Sequence, residues 1–272
     1  MYIDTHVHLW ELSRGDYGWI KPDNKVLHQN YTAERLLPEL EASGTAGVVL
    51  VQAASTVEET RYMLGQAERL PQLRGVVGWL DWEAEDAPAL YENLRRHRLL
   101  RGFRLSGRQL CEADDRLLAR LQRAQADGLV IDLLVRRTEL DELRRPLEAL
   151  SGQSVVINHL GNPPLQDTDE ALGAWQAGMS ELSRLPHVAV KLSGMITPAG
   201  GCAPERVRGP IDTLLRAYGA ERLLFGSDWP VALQAGSYED VVRLFEEGLP
   251  ERLSETDKQA LRAGNATRIY RL

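Results

Sequence analysis

A cationic excess, long apolar runs and paired cysteines are all missing from this 272-residue chain. Lys and Arg total 32 against 39 Asp and Glu, a net charge of -7, so no basic field exists to draw in phosphate backbones and no nucleic-acid partner is expected. The apolar stretches are short, and one of the strongest, Leu129–Val135, is broken by Asp132. A membrane span needs about 20 apolar residues in a row, so no membrane association is expected. The opening Met1–His6 carries neither the basic nor the apolar region of a secretory leader, which makes the cytoplasm the expected location. The two cysteines, Cys111 and Cys202, stand far apart without CxxC spacing, so neither a zinc ribbon nor a disulfide framework is implied. Linkers, low-complexity tracts and internal repeats are also lacking, and a single domain over 1–272 is the expectation.

What is present is a regular alternation. Short apolar, β-branched runs fall at Tyr2–Val7, Gly47–Gln52, Arg74–Asp81, Leu100–Ser106, Leu129–Val135, Ser154–His159, His187–Ser193 and Arg222–Gly226. Segments of helical periodicity lie between and after them, at Ala33–Ser43, Val57–Leu70, Ala87–His97, Asp114–Ala126, Glu139–Leu150, Glu170–Leu185, Glu205–Tyr218, Tyr238–Glu247 and Glu255–Ala263. Thr56–Glu59 has the form of a capping box, and Gly44, Gly128, Gly152 and Gly219 follow helical runs, where a left-handed residue suits glycine. Strands joined through helices must run parallel, and eight such units close into a (β/α)8 TIM barrel of the α/β class. The alternative, an open doubly wound sheet, calls for a Gly-rich turn after the first strand, and here that turn reads His6-Val7-His8-Leu9-Trp10.

In such a barrel the reacting groups sit at the C-terminal ends of the strands. His6 and His8 lie there at i, i+2 spacing, which points both imidazoles to the barrel axis and invites a metal; the alternative is a hydrogen-bonded strand terminus. Asp228 follows the last strand in Phe225-Gly226-Ser227-Asp228-Trp229-Pro230, as a metal ligand, as the base that deprotonates water, or as the acceptor of a turn. His159 closes the sixth strand, as a catalytic group or a satisfied core histidine. Gln52, Asp81, Lys191 and Ser193 occupy further strand ends. Arg104 either orients substrate or pairs with Asp81 or Asp132. Trp10, Trp79, Trp82 and Trp229 crowd the same rim, either as platforms for sugar faces or as plain lining of the mouth.

Across nearly the whole chain these residues resemble the amidohydrolase superfamily, and within it the amidohydrolase-2 group of lactone hydrolases. The likeness is carried by Ile3-Asp4-Thr5-His6-Val7-His8, Val51-Gln52-Ala53 with Glu59-Thr60, Val77-Gly78-Trp79-Leu80-Asp81, Gly102-Phe103-Arg104, Asn158-His159-Leu160-Gly161, Lys191-Leu192-Ser193-Gly194, Phe225-Gly226-Ser227-Asp228-Trp229-Pro230 and Asn265-Ala266-Thr267-Arg268-Ile269-Tyr270. It implies a (β/α)8 barrel in which His6, His8, His159 and Asp228 surround the reacting carbonyl of a lactone, such as an L-fucono- or L-rhamnono-lactone. The chain departs from the family pattern at Leu105, Asn158 and Asn162, where histidine, acidic and lysine residues are common. The bridging lysine and extra histidine of two-metal relatives have no counterpart on strands four and five, so one zinc or manganese ion on His6, His8 and Asp228, or no metal at all, is the expected cofactor state.

On this reading Asp228 activates water, with His159 and the paired imidazoles around the carbonyl oxygen. Arg104, Gln52, Asp81, Lys191, Trp10 and Trp229 contact the substrate. The rival readings are a mononuclear-metal decarboxylase or amide hydrolase, and a barrel that binds a sugar acid without turning it over. Oligomeric state is left open.

Overall fold

The computed structural model describes residues 1–152, 154–166 and 169–272. Eight strands run parallel in chain order: β1 (Tyr2–Val7), β2 (Thr45–Val51), β3 (Leu73–Gly78), β4 (Leu100–Ser106), β5 (Val130–Leu134), β6 (Val155–Ile157), β7 (Val188–Leu192) and β8 (Leu223–Phe225). A parallel bridge between Val7 and Trp229 closes the ring from the last strand back to the first. Helices cross over between successive strands and lie outside the barrel, as parallel pairing requires. No helix among the described residues is long and apolar enough to cross a membrane.

Strand alternation sorts the apolar residues into two layers. Val48 and Leu50 face the helices, and Val49, Val51, Val77, Val130, Val156, Ala189 and Leu224 fill the barrel itself. Ala266, Ile269 and Tyr270 complete that inner cluster. They belong to a terminal segment that runs on past the expected end at Ala263, from Glu255–Gln259 through a π turn at Ala260–Gly264 into Asn265–Tyr270. Asn265 anchors this plug by donating from Nδ2 to the carbonyls of Ala220 and Leu223, both at 2.7 Å.

The other departures from the expected boundaries have local causes. β6 and β8 are three residues each; the chain turns left-handed at His159 (φ 53°), two residues past the end of β6, and at Asp228 (φ 63°), three residues past the end of β8. Between β5 and β6 only Arg144–Ala149 is α-helical, and with the helix ending there Gly152 is not left-handed, unlike Gly44, Gly128 and Gly219. The Thr56 box is half made: Thr56 Oγ1 accepts from Glu59 N at 3.1 Å, but the Glu59 carboxylate turns to Ala53 N at 2.9 Å and to Tyr17 OH at 2.6 Å. Glu59 therefore braces the loop after β2 against the long segment after β1.

One carboxylate fastens the seam between β1 and β8. Asp4 is fully buried, accepting from His6 N (3.0 Å) and Ser227 N (2.8 Å) on one oxygen and from Tyr238 OH (2.9 Å) on the other. Removing it strands three buried donors, so Asp4→Ala is expected to lower the unfolding free energy by about 3 kcal/mol. Urea denaturation followed by circular dichroism checks this, and a loss under about 1 kcal/mol would show the seam to be held by other bonds.

Candidate active site

Asp228 is positioned by backbone. Its N–H donates to the His6 carbonyl at 2.8 Å, and His8 N–H donates to the Trp229 carbonyl at 2.8 Å, so the segment after β8 extends the pairing of β1. The carboxylate thereby comes to rest with Oδ1 at 3.7 Å from His6 Nε2 and 3.5 Å from His8 Nε2. The i, i+2 spacing does bring both imidazoles to one side: their ring centroids are 4.9 Å apart, and the His159 ring lies 4.5 Å from that of His6. Four side chains from both ends and the middle of the chain thus converge at the C-terminal mouth of the barrel.

Each ring is held from behind. His8 Nδ1 donates to the Val51 carbonyl at 2.7 Å, since a carbonyl only accepts, and this turns Nε2 toward Asp228. His159 sits on a turn in which His159, Leu160 and Asn162 are all left-handed, a strained run of the kind that aims functional side chains. Ser193 Oγ lies 3.0 Å from its Nδ1 and accepts from its backbone N–H at 3.3 Å. A Cβ on Gly194 would stand 2.5 Å from the same Nδ1, so only glycine leaves the ring its place.

Beneath His6 lies a buried ion pair. Lys191 donates to Asp132 Oδ2, and Tyr270 OH of the terminal plug donates to Asp132 Oδ1 at 2.5 Å. Lys191 Nζ is also 3.4 Å from His6 Nδ1. Lys191 and Asp132 are wholly enclosed, a state that an isolated charge could not tolerate and that their pairing permits. Lys191 therefore reaches the site through His6 and does not stand open to substrate hydroxyls as its strand-end position suggested.

These surroundings set the charges. Burial, followed by the nearby Lys191 cation, holds His6 well below the ordinary imidazole range. Burial likewise takes His159 down to about 4, although Asp228 pulls the other way. For Asp228 burial acts upward, but His159, His8 and Arg104 together outweigh it and keep the carboxyl below its usual range. At neutral pH the centre is an ionised carboxylate among imidazoles, of which His6 and His159 are neutral.

The remaining candidates divide. Arg104 Nη1 donates to the Gln52 carbonyl at 3.1 Å, and its Nε is buried without a partner. Among the described residues it makes no ion pair, so the alternative pairing with Asp81 or Asp132 does not form. The Gln52 side chain is half-buried beside it. Trp229 is buried with its edge on Tyr31 and its Nε1 unpartnered. Asp81 is exposed beyond the end of β3, where it accepts from Glu83 N at 3.1 Å in the short turn chemistry natural to aspartate. Trp10 is fully buried and its Nε1 is spent on the Gln29 carbonyl, which makes it support for the mouth and not its surface. Asp4 and Tyr270 had no separate role in the sequence reading. An acid two residues before His6, on the same inward side, was the available signal for Asp4; nothing local marks Tyr270.

The donor set suits one divalent ion. His6 Nε2 is buried with no hydrogen-bond partner, and one ligand atom each from His6, His159 and Asp228 lie within 4.8 Å of one another. Two nitrogens and a carboxylate oxygen match zinc and manganese preferences, and this set includes His159 where His8 was expected. His8 Nε2 remains adjacent, through Asp228.

A family model described as Amidohydrolase matches residues 3–272. An L-fucono-1,5-lactonase from Burkholderia multivorans is 35% identical over 286 residues, covering 99% of this chain and 96% of the relative. An L-fucono-1,5-lactonase from Burkholderia ambifaria is 33% identical over 281 residues, covering 99% and 95%. The crystal structure of an amidohydrolase from Burkholderia multivorans with bound zinc superposes with a TM-score of 0.91 at 34% identity, covering 100% of this chain and 99% of that one.

The Lys191 cation, 3.4 Å from His6 Nδ1, is a neighbour that a divalent ion on His6 would meet unfavourably, as is Arg104. Lys191→Met is therefore expected to bind zinc at least about tenfold more tightly than the parent, because a like charge close to the site is removed. Competition against a chromophoric chelator measures this, and unchanged affinity would separate Lys191 from the metal-binding side chains.

Proposed function

The chain belongs to the amidohydrolase family, and on that premise we propose that it opens the ring of a sugar lactone, an L-fucono-1,5-lactone or a close aldonolactone, within one catalytic unit spanning 1–272. The observation that carries this reading is the placement of an ionised Asp228 carboxylate within 3.7 Å of His6 Nε2 and 3.5 Å of His8 Nε2. The full-length likeness to two L-fucono-1,5-lactonases supports the substrate class. A small molecule, and not nucleic acid, is the partner this reading requires, and the cytoplasm is its proposed setting.

Asp228 takes a proton from a water molecule as the water oxygen bonds to the ring carbonyl carbon. Its low pKa makes it a modest base, yet one that is fully ionised at neutral pH, and fixed geometry supplies much of what basicity does not. Charge that gathers on the former carbonyl oxygen is met by N–H groups already in place: the unpartnered Nε2 of His6, whose Nδ1 faces the Lys191 ammonium, and the unpartnered Nε of Arg104. A divalent ion held by His6, His159 and Asp228 supplies Lewis-acid polarisation of that oxygen when bound. The bond from carbonyl carbon to ring oxygen then breaks, and Asp228 returns its proton to the departing alkoxide. The product is the open-chain hydroxy acid, which releases a proton to solvent at neutral pH. The side chain of Gln52 and the Trp229 Nε1–H orient substrate hydroxyls, and Arg104 keeps the ring in register.

Two outcomes are expected. Asp228→Asn lowers kcat on L-fucono-1,5-lactone by about a thousandfold or more while the fold persists, read with a pH indicator. A variant that opened the lactone at the parent rate would overturn the assignment. Because His159 loses its proton at about pH 4 and Asp228 lies below its usual range, these two groups lower activity as pH drops toward that value. Neither His6 nor His159 accordingly puts a step near the ordinary imidazole pKa of about 6.5 into a plot of kcat/KM against pH.

A further inference from the structure

Among the described residues only three large hydrophobic side chains are exposed: Met1 at the terminus, Trp19 at 45% and Leu134 at 37%. The latter two share the C-terminal face of the barrel. Trp19 lies in the long segment after β1, where its Nε1 donates to the Ala53 carbonyl at 2.7 Å, just past the end of β2. Its ring stands edge-on to the buried Trp10 at 5.6 Å, so the indole is a fixed platform. Leu134 is the last residue of β5. Strand alternation puts it on the same inward side as Val130, which fills the barrel, and Asp132, which meets Lys191; Leu133 between them packs outward against the helices. The Leu134 side chain therefore projects over the axis at the mouth. β3 and β4 separate β2 from β5, so Trp19 and Leu134 wall the mouth on different sides, with Arg104 of β4 in the arc between them.

Ligand sites are lined by apolar and aromatic side chains around a few convergent polar groups, and Trp19 and Leu134 stand where such a lining meets the polar centre. We propose that Trp19 and Leu134 are specificity-determining walls: Trp19 takes the C–H face of the lactone ring, and Leu134 takes a carbon substituent that bears no hydroxyl. This rests on the lactone-hydrolase reading and sharpens it, because such walls favour a 6-deoxy aldonolactone, which ends in a methyl, over its 6-hydroxy counterpart. A methyl set against leucine is desolvated without loss, whereas a hydroxymethyl there leaves its oxygen without a partner.

The test compares kcat/KM for L-fucono-1,5-lactone and L-galactono-1,5-lactone, which differ only in the hydroxyl on carbon 6, in the parent, Leu134→Ser, Leu134→Met and Trp19→Ala. The parent is expected to prefer the 6-deoxy ring by about tenfold. Leu134→Ser brings the ratio near unity while retaining kcat on the 6-hydroxy substrate, and Leu134→Met keeps the parent ratio. Trp19→Ala raises KM for both lactones by about tenfold and leaves their ratio alone. Ring opening with no preference in the parent, or a ratio unmoved in Leu134→Ser, overturns the walls while the lactonase reading stands. A change of oligomeric mass in these variants with an unmoved ratio makes the same residues a subunit contact instead. Calorimetric binding of L-fuconate and L-galactonate to the parent and Leu134→Ser examines the walls without turnover. If neither lactone is opened but the two acids bind with the expected preference, the lactonase reading falls and the walls remain; if neither acid binds, both fall.

Discussion

The molecule depends on the seam where its first and last strands meet. A barrel must close somewhere, and here the closing bonds also position the residues of the proposed site: Asp228 N–H to the His6 carbonyl, and His8 N–H to the Trp229 carbonyl. A slip of one residue along this seam would turn His6 and His8 out of the barrel, since the side-chain period of a strand is two. Asp4 makes the slip costly by gripping both sides of the seam from inside. Stability and chemical alignment therefore rest on the same few hydrogen bonds.

A second dependence is electrostatic. The Lys191–Asp132 pair lies fully inside the barrel, where the pairing is tolerated because every charge has a partner: Tyr270 satisfies the second Asp132 oxygen, and Lys191 faces His6. The pair brings no net charge, but its cationic end is the one that faces the site. That orientation opposes protonation of His6 and His159 above it. The arrangement divides labour by height: apolar residues at the bottom, one ion pair in the middle, titratable groups at the mouth.

Much of this was legible from residue order. Tyr2–Val7, Leu100–Ser106 and Ala33–Ser43 have the boundaries that periodicity and capping imply, and the alternation of elements leads to the barrel directly. The convergence of His6, His8, His159 and Asp228 follows from strand parity and from strand ends alone. What resisted reading is depth. Lys191 and Arg104 are both inward-facing cations, yet one is sealed and the other retains a free nitrogen, because Tyr270, far away in sequence, closes the barrel under Lys191. Trp10 and Trp19 are likewise close in sequence, but the backbone path that buries one and exposes the other is a long irregular segment with no periodicity to read. Glu59 carries a helix-start signature and spends its carboxylate on a loop instead, a choice made by the Tyr17 hydroxyl that the tertiary fold brings to it.

The contact of Tyr270 with Asp132 joins the two faces of the barrel. The phenol enters from the end opposite the mouth, and behind it stand Asp132, Lys191 and then His6. Mutational drift around Tyr270 is therefore not remote from the proposed site. An enzyme cut before Tyr270 would lose a hydroxyl that buttresses His6 from below, and an evolving lineage could retune the site by editing this segment while leaving every mouth residue untouched.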